Sequence, residues 1–164
     1  MAARADPAAP ARKITFFHAS AVVIGEAGVL IRGPSGAGKS GLAYCLAAAA
    51  EGAGYFARLV GDDRIGLEAR GGRLIAHGHP SILGQIERRS QGVFHVPFLP
   101  AAVVRLVIDI AAAGEATLRF PEPEDESVTI EGVRLPLVKL RQDAAAGGLA
   151  LSILADLRLR RLLP

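Results

Sequence analysis

Eight consecutive residues, Gly33, Pro34, Ser35, Gly36, Ala37, Gly38, Lys39 and Ser40, satisfy the pattern G-x-x-x-x-G-K-[ST] at every fixed position. The chemistry open to such a run is phosphate binding. Glycine at 33, 36 and 38 lets backbone N–H groups turn inward with no Cβ in the way, which makes a nest for anionic oxygens. The Lys39 ammonium then reaches the β- and γ-phosphates of a nucleoside triphosphate, and the Ser40 hydroxyl joins a Mg²⁺ shell. A second group follows in Gly61-Asp62-Asp63-Arg64, directly after the apolar run Phe56 to Val60. An apolar strand ending in acidic residues is the Walker B arrangement, which sets a carboxylate beside the metal and γ-phosphate. Adjacent aspartates on extended backbone point apart, so one can serve the metal or a structural bond while the other faces the reacting oxygen. The competing explanation is an acidic turn, a common place for Asp.

Other reactive side chains are more ambiguous. In Gln85 to Phe94, Glu87 can ligate a hard cation and Arg89 can pair with a phosphate, yet the same stretch suits a solvated turn. His18 stands beside Phe16 and Phe17, where a histidine is either structural or catalytic. His77 and His79 in His77-Gly78-His79-Pro80 have no third ligand nearby, which predicts loop residues rather than a metal site. Cys45 is the single cysteine; it rules out an internal disulfide, fits a reducing compartment and suits a small apolar packing role on a helix.

Elements of definite type must position these groups. Gly28 to Arg32 reads as a short buried strand entering the phosphate loop. Leu42, Cys45 and Leu46 begin a helix, Gly41 to about Glu51, whose positive N-terminal end faces the phosphates. Ile14 to Ile24 is β-rich, and the turn Gly25 to Gly28 folds it into a hairpin that carries His18 back toward the loop. Ile65 to His77 forms a hairpin turning at Gly71-Gly72, Val103 to Ile110 a buried strand, and Val128 to Leu137 a further hairpin. Gly148 to Leu163 is an amphipathic helix with Leu149, Ile153, Leu154 and Leu157 on one face. The expected fold is α/β, a P-loop-containing mixed sheet with β-hairpins and a C-terminal helix.

Bulk properties narrow the possibilities further. At 164 residues one domain is expected, with residues 1–12, rich in Ala, Pro and Arg, as a disordered lead-in and 13–164 as the folded domain. Hydrophobic residues make up 51% with no Trp, so Ala, Leu, Val and Ile must pack the core. A formal charge of +3, scattered along the chain, gives no support for a nucleic-acid partner. With no signal-like run and nothing near the roughly 20 apolar residues of a membrane helix, a soluble, cytoplasmic protein without membrane contact is expected.

The order of these blocks resembles the catalytic domain of HPr kinase/phosphorylase, from about Phe16 to Leu157. The matching blocks are His18, Gly33 to Ser40, Leu59 to Asp63, and Ile86 to Val93. The second signature of that family has the form E-x-R-G-x-G-[IV]; Glu87, Arg89, Gly92 and Val93 agree, while Ser90 replaces its first glycine. The resemblance implies an ATP- and Mg²⁺-dependent kinase for a serine of an HPr-type phosphocarrier protein, also able to run the reverse phosphorolysis. It implies Asp63 as general base, His18 beside it, Lys39 on the phosphates, Ser40 and Glu87 as metal ligands, and Arg119 as a downstream catalytic arginine. It further implies a short form without the additional N-terminal domain, and a homo-oligomer, hexameric in the family. The loop after Leu137 keeps Arg141 but lacks the Pro-Gly-Arg run of the family, so kinase activity is expected to outweigh phosphorylase activity. Two other readings stay open: a small-molecule P-loop kinase and a non-catalytic ATP-binding sensor acting on a signalling partner.

Overall fold

The computed structural model describes residues 14–112, 114, 126–141 and 146–163. The lead-in at 1–12, Arg119 and the stretch 142–145 lie outside the described residues. Strands β1 (Phe16–Phe17), β2 (Ser20–Ile24) and β3 (Ala27–Arg32) precede the phosphate loop, and helix α1 (Lys39–Gly52) follows it. Then come β4 (Ala57–Gly61), β5 (Ile65–Arg70), β6 (Arg73–Gly78), β7 (Gln85–Arg88), β8 (Gly92–His95) and β9 (Ala101–Ile110). Strands β10 (Ser127–Ile130) and β11 (Val133–Leu140) and helix α2 (Ala146–Leu159) complete the chain.

Nine strands form one mixed sheet, ordered β1-β5-β6-β9-β3-β2-β4, with β11 also on β9 and β10 on β11. β2 pairs antiparallel with both β3 and β4, while β3 and β11 run parallel to β9. The long β9 is the hinge of the architecture, since β6 takes its first three residues and β11 its last four. Between Gly28 and Val29 the register on β9 jumps from Val104 to Leu106, leaving Arg105 as an unpaired bulge residue. The bulge flips the alternation. Val104 and Val107 face one core, and Leu106, Ile108 and Ile110 face the other.

Those two cores lie on opposite faces of the sheet. One is covered by α1 and α2 through Leu42, Leu46, Ile153, Leu154 and Leu157; the other is closed by the hairpins, with Ile65, Leu74, Leu135 and Leu137 packed on Leu30 and Val60. Cys45 is half-buried against the helix-side core. Among the described residues no helix is long and apolar enough to cross a membrane.

The α/β class, hairpins and C-terminal helix are as expected from the sequence, with local corrections. His77 is a strand residue of β6, its Nε2 3.1 Å from a Glu68 carboxylate oxygen, rather than part of a loop. The stretch Gln85 to Phe94 is a two-stranded hairpin of its own, β7 with β8. α2 stops at Leu159, short of Leu163, because Arg161 adopts φ 56°, outside helical geometry. Leu137 to Leu140 belong to β11 and Ala146 to Gly148 to α2, so the connecting loop is shorter than the sequence suggests.

Candidate active site

The phosphate loop hangs between the end of β3 and the start of α1. Gly36 and Gly38 have φ 77° and 93°, and a Cβ on Gly38 would meet nothing within 4 Å, so the space above the loop is open. β3 and β9 are locked where the loop departs: Arg32 donates to both carboxylate oxygens of Asp109, its register partner, at 2.7 Å each. Such a bidentate pair fixes orientation as well as distance.

Lys39 is not the solvent-side charge that its motif role suggests; it is buried, 4% exposed. Its ammonium donates to the carbonyls of Gly33 at 3.0 Å and Pro34 at 2.9 Å. Burial pulls its pKa below the ordinary 10.5, and the nearby carboxylates of Asp62 and Asp63 offset only part of that fall.

The two aspartates divide their tasks as adjacent residues on one strand end can. Asp62 is buried and accepts three hydrogen bonds: from the Ser20 hydroxyl at 2.5 Å, the Ser40 hydroxyl at 2.9 Å and the Glu87 backbone N–H at 3.2 Å. Asp63 instead faces out, with φ 65°, and its carboxylate lies 3.2 Å from His18 Nε2. Asp is among the few residues other than glycine that tolerate this left-handed conformation. The kink between β1 and β2 puts His18 at a strand corner, which is how the hairpin delivers it to Asp63. Gly78 lets the end of β6 lie against β4, because a Cβ there would collide with the Val60 carbonyl, two residues ahead of Asp62.

β7 and β8 supply the remaining wall. Glu87 is exposed into the space, and the Arg89 guanidinium lies 3.3 Å from where a Cβ on Gly36 would stand. Arg88 stacks on the Tyr44 ring of α1, 4.4 Å from its centroid. The hairpin turns over Arg88 to Gln91, whose N–H donates to the Arg88 carbonyl at 2.9 Å, and Ser90 within it has φ 64°. Arg89 has no positive φ, so this is a type II-like turn, whose third position favours glycine.

One cavity of about 450 Å³ collects His18, Ser35, Gly36, Gly38, Lys39 and Ser40 of the loop, and Asp62, Asp63, Glu87 and Arg89. Arg119 lies outside the described residues, so no location for it is given by the fold. Ser20 is the functional-site neighbour that the sequence hides, since a serine opening an apolar strand carries no distinguishing pattern. The residues suit a magnesium nucleotide. The cradle is open where a Cβ would stand at Gly38, and Ser40, Asp62 and Glu87 offer hard oxygen donors. No cluster of three or more His, Cys, Asp or Glu able to hold a metal occurs among the described residues.

This is a kinase-like α/β fold with a phosphate loop at its cavity. In particular, the chain is similar to the solved Hpr(Ser) kinase/phosphatase from Coxiella burnetii, with TM-score 0.72 and 26% identity over 90% of this chain and 97% of that one. The likeness to the HPr kinase/phosphorylase catalytic domain drawn from the motif order thus holds in three dimensions. No protein-family model and no curated protein matches the sequence.

Proposed function

We propose that the protein is an ATP- and Mg²⁺-dependent kinase that phosphorylates a serine of an HPr-type phosphocarrier protein, with phosphorolysis as the slower reverse reaction. The observation that carries this reading is the pairing, in one cavity, of a buried Asp62 bonded to Ser40 with an outward-facing Asp63 beside His18. A simple nucleotide sensor needs the first aspartate but has no use for the second. In the proposed reaction Asp63 takes the proton from the acceptor serine as that oxygen bonds the γ-phosphorus and the bridge to the β-phosphate breaks. Lys39 and Arg89 offset charge on the phosphate oxygens, and His18 orients the Asp63 carboxylate. Ser40 and Glu87 would hold Mg²⁺, which when bound neutralises charge on the β- and γ-oxygens. In phosphorolysis an oxygen of inorganic phosphate bonds the phosphoserine phosphorus as the bond to the serine oxygen breaks, which releases pyrophosphate, and Asp63 as the acid returns the proton to the serine oxygen. Arg119 is assigned to the transferring phosphoryl group by the family resemblance alone. The proposal includes a folded catalytic unit over 13–164, a cytoplasmic location and a homo-oligomer, hexameric as in the resembled family.

The test is transfer of radiolabel from γ-labelled ATP to the cognate HPr-type protein. Label on serine, lost in Asp63→Asn, is expected; labelling that survives Asp63→Asn refutes the assignment of the base. With serine-phosphorylated carrier and millimolar phosphate, pyrophosphate release slower than the forward rate is expected.

A further inference from the structure

We infer that Ser20 is a positioning residue for the metal end of the site: it holds Asp62 so that the lone pairs of the Ser40 hydroxyl face the cavity. The inference rests on the magnesium-nucleotide reading above. Ser20 is fully buried, 0% exposed, and opens β2, where it is paired with Ile31 two residues before the loop. A buried hydroxyl needs a partner, and this one donates to Asp62 Oδ1 at 2.5 Å. Ser40 donates to the same oxygen at 2.9 Å. The Glu87 N–H occupies Oδ2 at 3.2 Å.

This geometry has a consequence for Ser40. A hydroxyl carries one proton and two lone pairs. With its proton committed to Asp62, Ser40 presents its lone pairs elsewhere, and Ser40 lines the cavity. Mg²⁺ needs an oxygen lone pair, so the direction of the proton decides whether Ser40 can be a ligand. That direction is only as good as the placement of Oδ1. Two hydroxyls converging on Oδ1 and one amide on Oδ2 fix the carboxylate, and Ser20 is the one of the three anchors on β2, beside the strand β3 that enters the loop. Removing it leaves Asp62 with two of its three donors and Oδ1 with one, which loosens the placement of that oxygen and the direction of the Ser40 proton with it. Outer-shell partners of this kind commonly change metal affinity by about 10- to 100-fold.

The experiment compares binding of a non-hydrolysable ATP analogue by calorimetry in saturating Mg²⁺ and in EDTA, for the intact chain, Ser20→Ala and the nearly isosteric Ser20→Cys. The ratio of the two Kd values isolates the metal contribution. We expect the intact chain to bind more tightly with Mg²⁺. In Ser20→Ala that enhancement should fall by about tenfold, with the Kd in EDTA changed less than about twofold because the loop amides and Lys39 are untouched. Ser20→Cys, whose thiol is a weak donor, should lie between, and it serves as the test variant if the alanine form does not fold. An intact chain with Mg²⁺ enhancement and an unchanged ratio in the folded Ser20 variants overturns this inference alone. An intact chain that binds no more tightly with Mg²⁺ overturns both the inference and the metal reading beneath it.

Discussion

Asp62 and Asp63 are neighbours with the same side chain, and conversion of each to Asn is expected to give opposite phenotypes. Asp62 is buried with three donors on its two oxygens. Asn keeps one acceptor oxygen and adds an amide that can only donate. If the oxygen stays with the two serine hydroxyls, the amide confronts the Glu87 N–H, and a buried donor is left unmatched. That mismatch costs about 1–3 kcal/mol, and the two hydroxyl bonds lose the assistance of a charge. Relief from burying a neutral group instead of a carboxylate works the other way. The net expectation for Asp62→Asn is a loss of about 2 kcal/mol, or about 4–8 °C in Tm for a domain of this size. Asp63, by contrast, has a side chain 67% exposed, with its carboxylate 3.2 Å from His18 Nε2. Asn tolerates φ 65° as well as Asp does, so Asp63→Asn should stay within about 0.5 kcal/mol of the parent. Urea unfolding monitored by circular dichroism, paired with phosphoryl-transfer assays, separates the two. Stability unchanged in Asp62→Asn, or a loss above about 1 kcal/mol in Asp63→Asn, would refute the division of labour described here.

Lys39→Met is expected to abolish nucleotide-dependent transfer while the chain remains folded, as checked by circular dichroism and turnover; unchanged turnover would remove Lys39 from the site. The lowered pKa of Lys39 gives this residue a pH signature. Since the native state holds the ammonium less readily than the unfolded chain, its stability cost is present below the native pKa and is relieved as pH rises toward 10.5. Phosphate binding needs the charged form, so analogue affinity should fall as pH rises through a value below 10.5, a fall absent in Lys39→Met. Glu87→Gln should raise the Mg²⁺ concentration for half-maximal transfer, because a hard-cation shell loses a negative oxygen; an unaltered requirement would make Glu87 a wall residue only. Ser90→Gly should stabilise the chain by about 0.5–1 kcal/mol in urea unfolding: relief of the left-handed strain at φ 64° outweighs the greater unfolded-state freedom of glycine. No gain would mean that Ser90 makes a compensating interaction.

The glycine-rich loop between β3 and α1 was legible in the sequence because its signals are local: a glycine pattern, a lysine and a serine in one unbroken run. The hairpins were legible for the same reason, through Gly-Gly and the turn after Ile24. Properties set across the fold were not. Ser20 lies 42 residues from Asp62, and nothing near it marks a buried hydroxyl bond. The strand pairing of Gln85 to Phe94 escaped notice because β8 is exposed throughout and its neighbours are charged, so no apolar alternation exists to be seen. The bulge at Arg105 likewise depends on the partner strand. His77 reads as a loop residue beside Gly78 and Pro80, yet pairing with Gly66 and Ala101 holds it in β6.

The site combines fixed and movable parts, and the two are distinguished by what each side chain already holds. Asp62 is satisfied by three donors and Arg32 by both oxygens of Asp109, so the strand ends that flank the loop are rigid before anything binds. Lys39 is satisfied too, but by the carbonyls of its own loop. An ammonium has three donors, and two of those on Lys39 are already turned back on Gly33 and Pro34. Donating more than one hydrogen bond to phosphates therefore requires Lys39 to loosen one or both of these contacts, while Asp62 and Ser40 keep theirs. On the opposite side, Asp63 and Ser90 sit in left-handed conformations on the two turns that border the cavity. Strain of that kind persists only where surrounding structure enforces it. Here the enforcing structure is explicit: the Arg64 N–H, which donates to the Asp62 carbonyl at 2.7 Å across Asp63, and the closed Arg88–Gln91 turn around Ser90. Asp63 and Arg89 are thus carried on turns of defined backbone geometry, which leaves the lysine side chain as the adjustable element of the site.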